Sequence, residues 1–123
     1  MIKLKNLNSD FEFRRVLAQE KIHTSYFTIY FSKNLPSQNN RNLNIGFIIK
    51  KKIGNAVVRN KIKRRLKSAI QKNLQNNKTI NADYSYIIFG KIKTFDEKYS
   101  VVFNELDKTF SIINQITSWY ENY

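Results

Sequence analysis

Apolar residues return along the chain with two periods, and the points where one period gives way to the other mark its elements. Phe13, Val16 and Leu17 stand at helical spacing. Ser9, followed three residues later by Glu12, forms the capping-box pattern that opens a helix. From Ile22 to Phe31 the period shortens to two, with Phe27, Ile29 and Phe31 on one face and Tyr26, Thr28 and Tyr30 on the other, which predicts one strand. Residues 34–42, with Pro36 and several Asn, predict a loop. Leu43, Ile45, Phe47 and Ile49 then line one face of a second strand.

Gly54 and Asn55 punctuate the chain, and Asn55 is suited to accept from the free N–H groups of a helix's first turn. Beyond it Val58, Ile62, Leu66, Ala69, Ile70 and Leu74 recur at three- and four-residue spacing and define one buried stripe. Residues 73–81 read as a polar loop and residues 84–90 as a third strand. Thr94 with Glu97 repeats the capping pattern. Phe95, Tyr99, Val102, Leu106, Phe110, Ile113 and Ile116 continue a helical stripe toward Trp119, interrupted near Ser100, and Trp119 is expected in the core. The order helix-strand-strand-helix-strand-helix predicts an α+β fold, one sheet with helices packed on it and room for one further short strand. At 123 residues, 1–123 reads as a single domain.

Charge sharpens this picture. Lys and Arg number 22 against 9 Asp and Glu, a formal net charge of +13. Lys21 to Ala82 contains 14 Lys and Arg and no acidic residue, so the excess lies in the middle of the chain. Such a concentration of one sign is relieved by a polyanion, which points to nucleic acid. A membrane-surface role would need an apolar insertion face, and the apolar stripes are already committed to a core. The absence of Cys excludes disulfides, Cys-ligated zinc and thiol chemistry, and a single His excludes a His-rich metal site. No apolar run exceeds four residues, so neither a membrane span nor a signal-peptide core is expected, and the reading is a soluble, cytoplasmic protein. The nine acids are scattered, with no carboxylate cluster for two-metal hydrolysis. His23 reads as an edge-strand residue without a nucleophile beside it.

On the central helix Asn60, Arg64 and Lys67 lie opposite Ile62, flanked by Lys61 and Arg65 on one side and Arg59 and Lys63 on the other. A solvated face of this kind ordinarily carries Glu to pair with Lys, and none is present. Gly54 lacks the second glycine and the Lys-Ser/Thr pair of a P-loop. What remains is a cationic face for phosphates.

Lys51, Lys52, Gly54, Asn55, Ala56, Val57, Arg59, Asn60, Lys61, Lys63 and Arg64 stand in a run that resembles the signature of the bacterial ribonuclease P protein component, Lys-Lys-x-Gly-Asn-Ala-Val-x-Arg-Asn-Arg-x-Lys-Arg. The resemblance extends to the Phe13, Val16, Leu17 helix, the strand through Phe27 and Tyr30, Gly46, Asp83-Tyr84 and the C-terminal helix. It departs at Lys61, which keeps charge but loses the planar fork of Arg. It departs also at Leu17, where an aromatic is usual, and at a first helix-to-strand connection one residue short.

The resemblance implies a basic helix crossing between parallel strands with left-handed chirality, against the general right-handed rule. It implies an RNA subunit as catalyst and a protein that helps it remove the 5′ leader from precursor tRNA. Magnesium is expected to be held mainly by the RNA subunit, with no organic cofactor and no further protein partner. Lys51, Lys52, Asn55, Arg59, Asn60, Lys61, Lys63, Arg64, Arg65 and Lys67 are the expected RNA-binding residues, and Phe13, Leu17 and Tyr30 the expected leader cleft. A ribosomal or other RNA-binding protein with a basic helix would account for the charge but not for the motif, and a self-sufficient protein nuclease would lack a site.

Overall fold

Ser9 opens the first helix as its spacing predicts: its Oγ accepts from the Glu12 N–H at 3.1 Å, and α1 runs Asp10–Leu17. A computed structural model describes residues 2–7, 9–36, 38 and 41–121. Its five strands are β1 (Lys3–Asn6), β2 (Glu20–His23), β3 (Phe27–Lys33), β4 (Asn42–Ile48) and β5 (Tyr84–Gly90). They form one mixed sheet in the order β1-β4-β5-β3-β2. The β1–β4 and β4–β5 pairs are parallel, and the β2–β3 and β3–β5 pairs antiparallel. β1 is the further short strand. In the loop expected over 34–42, positions 37, 39 and 40 lie outside the described residues, and Asn42 already belongs to β4.

The single strand predicted over 22–31 is corrected to a hairpin. Thr24 folds it: its Oγ accepts from the N–H groups of Tyr26 and Phe27 at 3.2 and 3.1 Å, and its own N–H donates to the Phe27 carbonyl. Side-chain hydroxyls compete in this way with ladder pairing. Tyr26 consequently leaves the face of Tyr30 and packs on the opposite side of the sheet.

Asn55 caps α2 (Ala56–Gln75), its Oδ1 accepting from the Val58 N–H at 3.0 Å. This helix carries no carboxylate to pair with its cations. Its apolar stripe holds it instead: Ile62, Leu66, Ala69 and Ile70 are wholly buried on the sheet. Each buried Ile or Leu is worth roughly 1.5–3 kcal/mol, well above the ~0.2–0.5 kcal/mol of a helical ion pair. The polar loop expected from residue 73 starts later. Asn73 is buried in the helix, and its amide donates to Thr79 Oγ1 at 2.6 Å and Asp107 Oδ1 at 2.7 Å.

The C-terminal stripe divides into α3 (Lys93–Asp96) and α4 (Tyr99–Glu121), the interruption expected near Ser100 falling at Glu97 and Lys98. The expected Thr94–Glu97 capping box does not form. Thr94 is buried inside α3 with its hydroxyl donating to the Tyr26 carbonyl, while the Glu97 carboxylate accepts from the Lys98 N–H. Trp119 is corrected as well. It is 59% exposed and edge-on to Tyr120, with 5.6 Å between ring centroids. The helix outruns the core, since Thr117 is the last buried residue of α4.

Two cores result. Phe27, Ile29 and Phe31 of β3 face α2 and α4, whereas Val16, Ile87 and Leu7 meet under α1 on the other face. Burial pushes the Tyr86 hydroxyl well above the ordinary tyrosine range, so it stays a donor, to the Asn81 carbonyl at 2.7 Å. No helix among the described residues is long and apolar enough to cross a membrane.

Gly90 lets α2 approach the end of β5: a β-carbon there would lie 2.5 Å from Ile49 Cδ1 and 2.7 Å from Ile62 Cγ2. Gly90→Ala should therefore cost about 1–3 kcal/mol in chemical denaturation, the usual range for overpacking. An unchanged midpoint would show that the helix sits farther from the strand.

Candidate nucleic-acid interface

The cations of α2 fall into two sets according to which way the helix turns them. Lys61 and Arg65 face α3 and α4. The Lys61 ammonium lies 4.4 Å from the centre of the Phe95 ring, a cation–π contact. Arg65 donates through Nη1 to the carbonyls of Thr94 and Glu97, both at 2.6 Å, and so clamps the bend between α3 and α4. Farther along the same flank the Ser68 hydroxyl meets the Tyr99 hydroxyl, and Lys72 lies over the Phe103 ring.

The second set looks outward. Asn60, Lys63, Arg64 and Lys67 are exposed, and no carboxylate among the described residues pairs with them. Arg59 is half-buried, its Nε donating to the Gly54 carbonyl at 3.1 Å, which braces the guanidinium against the start of the helix. Asn55 spends its side-chain oxygen on the cap. Lys51 and Lys52 are exposed on a 3-10 turn, Lys51–Ile53, just before α2. The ten expected RNA-binding residues thus lie on one helix and its lead-in, but with Lys61 and Arg65 directed at the protein itself.

The other candidate surface lies on the α1 side of the sheet. Strand register aligns Lys21, Tyr30, Ile87 and Gly46 in one row and His23, Thr28, Phe89 and Ile48 in the next. Phe13 crosses this face at Gly46, where a β-carbon would stand 2.9 Å from its ring. Phe13 and Tyr30 pack against the same cluster. Leu17 stays at the exposed end of α1 and is not part of that cluster. Beside Tyr30 opens a groove of about 340 Å3 lined by His23, Thr28, Tyr30, Lys50, Lys52, Ile53, Phe89, Gly90 and Lys91. Tyr30 and Phe89 meet edge-on at 5.5 Å, with the ammonium of Lys21 over the first ring and that of Lys50 over the second.

The sequence alone does not single out Phe89, Lys21, Lys50 or Lys91, and it marks His23 only as an edge residue. The alternation of Ser85, Ile87 and Phe89 does put Phe89 on one face of its strand. That this face is also Tyr30's follows only from the β3–β5 register. Aromatic faces bordered by ammonium groups suit unpaired bases, by stacking and charge.

Among the described residues, no group of three or more His, Asp or Glu is placed to hold a metal ion.

The family model described as Ribonuclease P matches residues 1–114. Among curated proteins, the ribonuclease P protein component of Mesoplasma florum is 32% identical over 107 residues, covering 85% of this chain and 90% of its own. That of Carboxydothermus hydrogenoformans is 31% identical over 112 residues, covering 86% and 88%. Among solved structures, the Staphylococcus aureus RNase P protein superposes with a TM-score of 0.72 at 22% identity, covering 90% of this chain and 96% of that one. The Thermotoga maritima RNase P protein gives 0.69 at 20%, covering 87% and 96%.

Proposed function

The chain belongs to the ribonuclease P protein family, and from that premise we propose a division of labour between its two faces. As a member it is the protein component of a ribonucleoprotein endoribonuclease of tRNA 5′ processing, and its partner is the RNA subunit. In the proposed arrangement the outward face of α2, with Arg59, Asn60, Lys63, Arg64 and Lys67, binds phosphates of the RNA subunit. The groove of Tyr30 and Phe89 takes the unpaired 5′ leader of precursor tRNA, and Phe13, packed in the same cluster but outside the groove's lining, supports Tyr30 from the α1 side. Lys51 and Lys52 stand between the two surfaces. Lys61 and Arg65 act by holding α2 against α3 and α4.

The observation that carries this reading is the separation of the two surfaces. The cationic helix face and the aromatic groove lie on opposite sides of one sheet, as two distinct RNA elements require. Cytoplasmic location and retention of magnesium by the RNA subunit belong to the same proposal. With few acids and a strong positive field, the protein would serve by lowering repulsion between two polyanions.

Single-turnover cleavage of precursor tRNA tests this directly. The protein alone should leave the substrate intact, and should restore cutting by its cognate RNA subunit at magnesium concentrations where that RNA alone is inactive. Cutting at the mature 5′ end by RNA-free protein would overturn the proposal.

A further inference from the structure

The outward stripe of α2 does not stop at Lys67. Asn60, Arg64, Lys67, Gln71 and Gln75 follow one another at three- and four-residue intervals, so they form one exposed line along the helix. At its far end this line borders a groove between α2 and β1. Two hollows of about 710 and 420 Å3 share Ile2, Leu74 and Gln75 as walls. Lys67 and Lys3 reach the smaller, Lys78 and Arg41 the larger, and among the described residues no carboxylate lines either.

Lys78 supplies an independent observation. It is the non-glycine residue with positive φ among the described residues, at 54°. Its N–H closes the end of α2 by donating to the Asn73 carbonyl at 2.7 Å, a position where glycine or asparagine is favoured. A side chain with a β-carbon costs roughly 1–2 kcal/mol there. Lys78 is exposed and stands on the wall of the larger hollow.

We propose that this groove is a second phosphate-binding site for the RNA subunit, which continues the α2 surface around the molecule to the β1 edge. The inference rests on the function proposed above. Lysine ammoniums supply point charges for phosphate oxygens, and the amides of Gln71 and Gln75 supply neutral donors to phosphate or ribose. The occupant is the RNA subunit rather than precursor tRNA because Lys67 belongs both to the outward helix face and to the groove. The aromatic groove opens on the other side of the sheet.

The test is a Lys3→Gln, Lys78→Gly double variant, with affinity for the RNA subunit measured across a range of salt concentrations. Glycine at 78 suits the local backbone, so the thermal midpoint should be unchanged or higher. The log–log salt slope should fall by roughly 1.4–1.8, from about 0.7–0.9 for each phosphate no longer neutralised. Binding to isolated precursor tRNA should keep the wild-type slope. Gln75→Glu, an exposed change that places an anion in the groove, should weaken RNA-subunit binding on its own and decides the matter should the double variant prove unstable. An unchanged slope with the RNA subunit, or a fall seen only with precursor tRNA, overturns the groove assignment. Failure of the wild-type protein to bind the RNA subunit would instead overturn the functional reading beneath it.

Discussion

Replacing Arg59, Lys63 and Arg64 together by Ala should sharply weaken binding to the RNA subunit and flatten its dependence on salt. Neutralising a phosphate releases counterions, and each phosphate left without its cation lowers the log–log slope by about 0.7–0.9, so the triple variant should give up roughly 2–3. Lys63 and Arg64 are exposed, and half-buried Arg59 gives up a single bond to the Gly54 carbonyl while the buried stripe is untouched, so circular dichroism should show the fold intact. Arg65→Ala makes the opposite pattern. Its guanidinium holds two carbonyls at the α3–α4 bend, so the change should cost about 1–3 kcal/mol of stability and leave the salt slope nearly as it was. A folded triple variant with the wild-type slope would remove α2 from the RNA-subunit interface.

The second large effect concerns the leader. Precursor tRNA with a leader of several nucleotides should be bound more tightly than the same tRNA without one, and Tyr30→Ala and Phe89→Ala should each narrow that preference. Stacking is worth about 1–3 kcal/mol per base, or roughly 5- to 150-fold in relative affinity. Phe13→Ala should narrow it too, but with a stability cost of its own, because its ring packs over Gly46. Affinity for the RNA subunit should stay at the wild-type level in all three. Equal weakening toward both substrates would mean that these rings serve only the core.

The parts of the fold legible in the sequence are those fixed by local physics. Ser9 and Asn55 cap helices because each side-chain oxygen lies within reach of a free N–H three residues on. The stripe from Val58 to Leu74 is legible because one helix face must meet the sheet. The motif on α2 carries the family. What escapes are features that spacing alone does not decide. Thr24 turns an alternating run into a hairpin, and Asn73 is drawn into the helix by Thr79 and Asp107. Thr94 has the spacing of a cap, but Tyr26 offers its carbonyl instead. For the interface, spacing places Lys61 and Arg65 correctly on the helix flank, but only α3 and α4 show what that flank touches.

The Arg65 clamp bears on how this protein can drift. The chain has 16 lysines and only 6 arginines, the balance expected when base composition favours AT-rich codons. Two of the six arginines tie together parts of the protein: Arg65 holds two carbonyls at the α3–α4 bend, and Arg15 works as a fork, one Nη reaching Ser32 and the other the Lys33 carbonyl. A lysine offers a single ammonium and cannot reproduce that planar geometry. Positions that ask mainly for a positive charge can take lysine in place of arginine as base composition shifts. Lys61 stands where the motif has Arg, and over the Phe95 ring it needs to be a cation but not a fork. Arg15, with two nitrogens on two separate acceptors, has no such freedom. Mutational pressure on this protein is therefore absorbed where charge alone suffices, while an arginine such as Arg15 is held in place by the two acceptors its planar group joins.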